Sequence, residues 1–313
     1  MWNYVIPHFT RFLKELELKP EERADAETKA DRIARCLWSY YYFDYGEFKP
    51  YCYVKVGSYG KGTATRPPSD LDMLFLLPAH EFTRIGQLAG NKQSQLLQEV
   101  KGVLEDTFPR TDLRADGQVV VAPFQTYNVE IIPAFLMKDD TYITAHTASG
   151  GTWRASNPAV EYQWIQYADS VSAGKATHLI KMLKAWKREC SVDIKSISLE
   201  VAACVFVSNW PYRNQTLFYY DWLVRDFFEF MLRYRWGWNI VPGTQEKIQL
   251  GDAWGSKCES AHQRAVKAER YEHADDGDAA AEEWHKIFGD QFAPSTVPTL
   301  SPLFLRALAA ARR

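Results

Sequence analysis

The chain has 313 residues, enough for one large or two moderate lobes around a substantial core. Aromatic residues make up 14% of it, with 11 Trp, which excludes a disordered or fibrous polypeptide. The net charge is −2, with 37 basic residues interspersed among 39 acidic ones, so no global basic field marks it as a duplex-binding protein. Cys36, Cys52, Cys190, Cys204 and Cys258 are scattered and lack C-x-x-C spacing, which suits reduced thiols and gives no zinc site. Met1-Trp2-Asn3-Tyr4 is not a basic-then-apolar leader, and the longest clearly apolar run, Val201 to Val207, is too short to span a bilayer. A cytoplasmic location without a membrane partner is expected.

In chain order, Leu18-Lys19-Pro20 closes a short initial helix. The alternation of charged residues with Ala, Ile and Leu from Glu21 to Tyr42 then predicts a long surface-lying helix. Strands follow near Tyr51 to Val56, Leu71 to Leu77, Gln118 to Ala122 and Tyr127 to Ala134, with a helix over about Asn91 to Asp106. Thr147 to Thr152 reads as a flexible connection, and the pattern beyond it is helical. Helices are expected at about Pro158 to Val171, Ala176 to Glu189, Ser196 to Val207, Leu217 to Tyr234 and Trp254 to Phe288. Trp236-Gly237-Trp238 and Pro242-Gly243 mark the loop before the last helix. The organisation is therefore α/β (α+β): a mixed-sheet lobe over residues 1–155 that includes the long N-terminal helix, a helical lobe over 156–292, and a tail over 293–313. Within that tail, Ser301 to Arg313 is read as a short helix or extension.

The most informative stretch runs from Val56-Gly57-Ser58-Tyr59-Gly60-Lys61-Gly62 into Pro68-Ser69-Asp70-Leu71-Asp72-Met73-Leu74-Phe75. On a strand, Asp70 and Asp72 share one face while Leu71 and Met73 enter the core. Two carboxylates held that close repel unless a cation sits between them, which makes them a seat for divalent metal. The Gly57-Ser58 turn offers backbone N–H groups and a hydroxyl to a phosphate. A P-loop does not fit, because Lys61 precedes Gly62 instead of following it, and the order of glycines is wrong for a dinucleotide fingerprint. Glu130 supplies a third acid, the lone charge in the apolar run Tyr127 to Pro133, where an unpaired carboxylate is costly. These features together predict Mg²⁺-dependent chemistry on a nucleoside triphosphate.

The pattern of Gly-Ser, Asp-x-Asp and a third acid on a later strand resembles the DNA polymerase β nucleotidyltransferase superfamily. Within it, the chain is similar to bacterial cyclic-oligonucleotide synthases related to cyclic GMP-AMP synthase and oligoadenylate synthase. Leu179 to Trp186 looks like the family helix whose lysine reaches the donor triphosphate, with Lys184 the best match. Lys195 to Glu200 is similar to the segment that donates a polar side chain to the phosphates, which points to Ser196, and Glu283 to Asp290 looks like the end of the last helix. The likeness spans roughly Tyr51 to Phe292. It implies a polymerase β-like nucleotidyltransferase lobe and a helical lobe completing the nucleotide cleft. Two Mg²⁺ ions, with Mn²⁺ as substitute, would sit on Asp70, Asp72 and Glu130, and Gly57, Ser58, Lys184 and Ser196 would hold the phosphates of ATP or GTP. The implied product is a cyclic di- or trinucleotide second messenger serving antiphage defence. Regulation by a protein partner and no requirement for DNA are expected. A different acceptor (RNA, protein or small molecule) and an inactive nucleotide-binding scaffold remain as alternatives.

Other residues carry less. His146, His178, His262, His273 and His285 show no ligand spacing and are read as structural. Asp139-Asp140 reads as a solvated turn, Asp275 to Asp278 as an exposed charged run, and the Phe218-Tyr219-Tyr220 cluster with Trp222 as core. Lys61 and Arg66 lie near the phosphate turn and are open to either a phosphate or solvent.

Overall fold

A computed structural model describes residues 2–292 of the chain; the expected tail over 293–313 lies outside the described residues. The elements in order are α1 (Val5–Leu16), α2 (Pro20–Tyr41), β1 (Tyr53–Lys55), the single turn α3 (Gly57–Gly60), β2 (Leu71–Leu76), α4 (Ala79–Gly86), α5 (Lys92–Thr107), β3 (Arg114–Asp116) and β4 (Val119–Pro123). There follow β5 (Asn128–Leu136), β6 (Tyr142–His146), β7 (Thr152–Ser156), α6 (Pro158–Ser172), α7 (Lys175–Glu189), α8 (Ser196–Asn209), α9 (Tyr220–Leu232), β8 (Trp238–Ile240), β9 (Lys247–Gln249), α10 (Gly255–His273) and α11 (Gly277–Phe288). No helix among the described residues is long and apolar enough to cross a membrane.

Two compact units result. The sheet unit comprises residues 18–162 with 242–244. Its seven-stranded mixed sheet runs β1-β2-β5-β4-β3, with β6 added on β5 and β7 on β6. β2 and β5 are parallel and pair Leu71 with Val129, Asp72 with Glu130 and Met73 with Ile131; the other pairings are antiparallel. Leu71, Met73, Val129 and Ile131 are fully buried in one core with Ala30, Ile33, Ala34 and Leu37 of α2 and Leu96, Leu97 and Val100 of α5. Each such aliphatic side chain stabilises the fold by roughly 1.5–3 kcal/mol relative to exposure. Because side chains alternate, burying the odd-numbered residues turns Asp72 and Glu130 to the opposite face. The ends of α2 and α5 are set locally. The Lys19 backbone N–H donates to Glu22 Oε2 at 2.7 Å, Pro20 stands in the first turn, and the Asn91 side chain accepts from the Ser94 N–H at 2.9 Å.

The helical unit comprises residues 2–17, 163–241 and 245–292 within the described span. α1, placed by linear order with the first lobe, packs here instead. Phe9, Phe12 and Leu16 are buried in one cluster with Leu183 and Trp186 of α7, Phe227 and Phe228 of α9, and Trp284 and Phe288 of α11. The physical reason is amphipathic: α1 has an apolar face that must be buried, and a chain neighbour is not thereby a packing partner. The expected helix from Trp254 to Phe288 is two helices. The break falls at Ala274 to Asp276, where Asp275 has φ +66° and the Asp276 side chain caps α11 by accepting from the Ala279 N–H at 3.1 Å. The expected loop around Trp236 to Gly243 contains the hairpin strand β8, paired with β9.

Candidate active site

In the sheet unit, the Asp-x-Asp segment stands where the sequence places it. Asp70 precedes β2, Asp72 is its second residue, and Glu130 lies beside Asp72 in the same register on parallel β5. The backbone N–H of Asn128 donates to Asp70 Oδ1 at 3.3 Å, holding that carboxylate at the start of the β5 edge. Burial, then Glu130 and Asp70, push Asp72 up to about 7, with Lys61 opposing; its carboxyl shares a side-chain hydrogen bond with Glu130. Burial, then Asp70, raise Glu130 as well. Like charges that cannot both ionise at short range keep a proton between them.

The Gly-Ser turn is built against this pair. Gly57 has φ +56°, and a Cβ there would meet Asp72 Oδ2 at 1.9 Å and Asp72 Cγ at 2.8 Å. Only glycine permits both the backbone conformation and the approach. The Val56 N–H donates to the Asp72 carbonyl at 2.9 Å, and the Thr63 N–H closes the turn on the Ser58 carbonyl at 2.9 Å. Ser58 is thereby fixed one residue from the glycine that abuts Asp72.

Among the described residues, no three His, Cys, Asp or Glu side chains already stand together as a metal-binding set. The trio is a hydrogen-bonded pair, Asp72 with Glu130, and a third acid, Asp70, tied to Asn128. Its chemistry nevertheless fits a divalent cation: three hard oxygen donors at and just before neighbouring strands, two of them protonated more readily than usual because of burial and the adjacent carboxylates.

In the helical unit, Lys184 on α7 forms an ion pair with Glu200 on α8 at 2.9 Å, their side chains 14% and 5% exposed. Ser196 is the first residue of α8, and Lys187 Nζ donates to its Oγ at 3.1 Å. Lys181, one turn before Lys184, is buried and paired with Glu17.

Comparison with known proteins identifies the family of the chain. The profile of the Second Messenger Oligonucleotide or Dinucleotide Synthetase domain matches residues 4–168, just over half of the chain. The chain belongs to that family. It is thus a nucleotidyltransferase of the cyclic nucleotide synthase type. A probable cyclic nucleotide synthase of Bacillus cereus (strain VD146) is 20% identical over 277 residues, covering 76% of this chain and 81% of the relative. Vibrio cholerae DncV cyclic AMP-GMP synthase, solved with the linear intermediate pppA(3′,5′)pG, superposes with a TM-score of 0.75 at 13% identity, over 96% of this chain and 99% of that one. Escherichia coli MS115-1 CdnC, solved with ATP, gives 0.68 at 16% identity, over 93% and 98%. At these identities the structural likeness shows the fold, a polymerase β-like mixed sheet plus a helical lobe.

The remaining singled-out residues of this synthase-family chain have ordinary roles. Lys61 is buried and pairs with Glu161 at 3.0 Å, while Arg66 Nε donates to Glu22 at 3.3 Å, so neither side chain is simply solvated. Phe218, Tyr219 and Tyr220 are core, as expected. The Asp139 side chain accepts from Thr141 in an exposed turn. Sequence reading missed Glu161, Glu200 and Lys187. Glu200 had a signal: it is the lone acid in the run Leu199 to Val207, and a buried carboxylate requires a partner. Lys187 had none, since its tie to Ser196 follows from how α7 packs on α8.

Proposed function

We propose that this family member joins nucleoside triphosphates, ATP or GTP or both, into a cyclic di- or trinucleotide second messenger for antiphage signalling. The observation that carries the reading is the cross-strand Asp72–Glu130 pair with Gly57 pressed against Asp72. In each round the acceptor hydroxyl oxygen bonds to the α-phosphorus of the donor. The bond from that phosphorus to the pyrophosphate oxygen breaks, and a proton is released. Asp70, Asp72 and Glu130 would hold Mg²⁺, for which Mn²⁺ can substitute. Bound there, the metal supplies Lewis-acid stabilisation of the attacking oxygen and of the departing pyrophosphate.

The chain's own groups orient the reactants. The Gly57 turn keeps the Asp72 carboxylate in place, and Ser58 presents its hydroxyl and backbone N–H to phosphate oxygens. In the helical unit, Lys184 and Ser196 are assigned to the β- and γ-phosphates, an assignment that rests on the family resemblance of their segments. Such fixed charges and donors act on phosphoryl oxygens without reorganising during the reaction. The CdnC structure solved in complex with a HORMA protein supports control by a protein partner here. The near-neutral net charge supports synthesis without DNA.

Incubation with Mg²⁺ and labelled ATP and GTP tests the reading. A phosphatase-resistant cyclic product supports it. Transfer of the label to an added RNA, protein or small molecule would replace it with another acceptor, and binding without turnover would leave a scaffold.

A further inference from the structure

At the junction of α7 and α8, the charges do not cancel where a phosphate is proposed to sit. Lys184 forms an ion pair with Glu200 at 2.9 Å, so its charge is largely offset inside the fold. Lys187, three residues on and therefore on the same side of α7, has a different partner. Its Nζ donates to the neutral hydroxyl of Ser196 at 3.1 Å, and its side chain is only partly buried. A lysine in the last turn of a helix ordinarily serves that helix's own carbonyl end. Here the ammonium is directed instead to the first residue of the next helix, whose end already carries partial positive charge.

At that end of α8 the cap residue supplies no side-chain acceptor. That residue is Lys195, which makes no capping hydrogen bond. Because the Ser196 oxygen accepts from Lys187, the Ser196 hydroxyl proton is available to a further acceptor. An ammonium, a hydroxyl and a lysine-capped helix start thus meet at one place, and each is a donor. An anion completes this set, and a neutral ligand does not.

We propose that Lys187 is a triphosphate-binding residue of the synthase, meeting the donor's phosphates together with Ser196. The assignment rests on the reading that Ser196 and Lys184 face the triphosphate. Glu200 offsets part of the Lys184 charge at that surface, and Lys187 adds positive charge beside it.

The test is equilibrium binding of inorganic tripolyphosphate and of ATP by calorimetry, which needs no turnover and no activating signal. Lys187→Ala is expected to weaken both by about tenfold, the scale of one charge-assisted hydrogen bond. Lys187→Arg should restore most of the loss, and AMP binding should change little. Lys187→Ala in a Ser196→Ala background should still lose affinity; no further loss there would overturn direct contact, leaving Lys187 a residue that only orients Ser196. If Ser196→Ala and Lys184→Ala weaken tripolyphosphate binding while Lys187→Ala does not, the proposal is wrong and the phosphate reading stands. If all three leave it unchanged, the phosphate reading fails and takes the proposal with it. A thermal unfolding midpoint for Lys187→Ala equal to that of the parent excludes misfolding as the cause, and Lys187→Gln repeats the test at nearly constant volume.

Discussion

Gly57→Ala separates the role of the phosphate turn from the general cost of its backbone. Gly57 has φ +56°, and a methyl group there falls 1.9 Å from Asp72 Oδ2. Gly117, in the turn between β3 and β4, has φ +60° and open space around the same methyl position. The left-handed conformation costs either alanine roughly 1–2 kcal/mol, so both variants should lose a few degrees of thermal stability. Only Gly57→Ala must also move a carboxylate. To reach the shortest approach that real Cβ atoms show, Asp72 has to retreat by roughly 1 Å, and displacements of about 1 Å at reacting groups cost on the order of 100-fold in rate. Pyrophosphate release from ATP and GTP, measured beside unfolding midpoints, reads both effects. Gly57→Ala should lose about 100-fold or more in turnover, while Gly117→Ala keeps near-parental turnover at similar stability loss. Equal turnover in the two variants would refute the argument that the glycine exists to admit Asp72.

Asp72→Asn removes half of a half-buried carboxylate pair, so it should abolish turnover while leaving the unfolding midpoint unchanged or raised; a clear drop in midpoint would mean the acid is structural. Lys184→Ala should weaken ATP or GTP binding by roughly tenfold, whereas Lys181→Ala, which breaks the contact with Glu17, should cost stability instead. A larger binding loss from Lys181→Ala would show that the helix is read one turn out of register. Burial, then the Arg11 charge, hold His8 down to about 4 from its ordinary 6.5, while Asp278 opposes and Glu272 Oε1 lies 3.1 Å from its ring. The unfolded chain therefore binds a proton that the fold refuses between those values. This contribution to stability is complete above 6.5 and falls by about 1.4 kcal/mol per pH unit toward 4. Because Asp72 and Glu130 titrate in the same window in both proteins, urea titrations of parent and His8→Asn should differ in slope by about 1.4 kcal/mol per pH unit, and identical slopes would contradict the assignment.

The acid pair was legible in the sequence because strand alternation is a rigid rule. Leu71 and Met73 are buried in β2, which turns Asp72 to the other face, while Asp70 lies just before the strand where alternation does not bind it, and Glu130 needed a reason to sit in an apolar strand. That Asp72 and Glu130 are register partners was not legible, since parallel pairing of β2 with β5 is set by the whole sheet. β6 and β7 are not legible in the sequence because each is short and adjoins turn residues, Asp139-Asp140 before β6 and the Gly-rich Ser149 to Gly151 before β7, although Tyr142, Ile143 and Trp153 lie within them. α4 has eight residues, begins after Pro78 and buries only Ile85, too little for a periodicity to register. By proximity in the chain, Lys61 and Arg66 are open to either a phosphate or solvent. Their carboxylate partners, Glu161 and Glu22, are remote in sequence and emerge only on folding.

The central claim, that the carboxylate trio drives nucleotide cyclisation, is tested most directly by one comparison. Parent and Asp70→Asn/Asp72→Asn proteins are incubated with Mg²⁺ and α-labelled ATP and GTP, and the products are treated with phosphatase and resolved. The account predicts a phosphatase-resistant cyclic product from the parent and none from the folded double variant. Labelled cyclic product from the double variant at near-parental rate would contradict it.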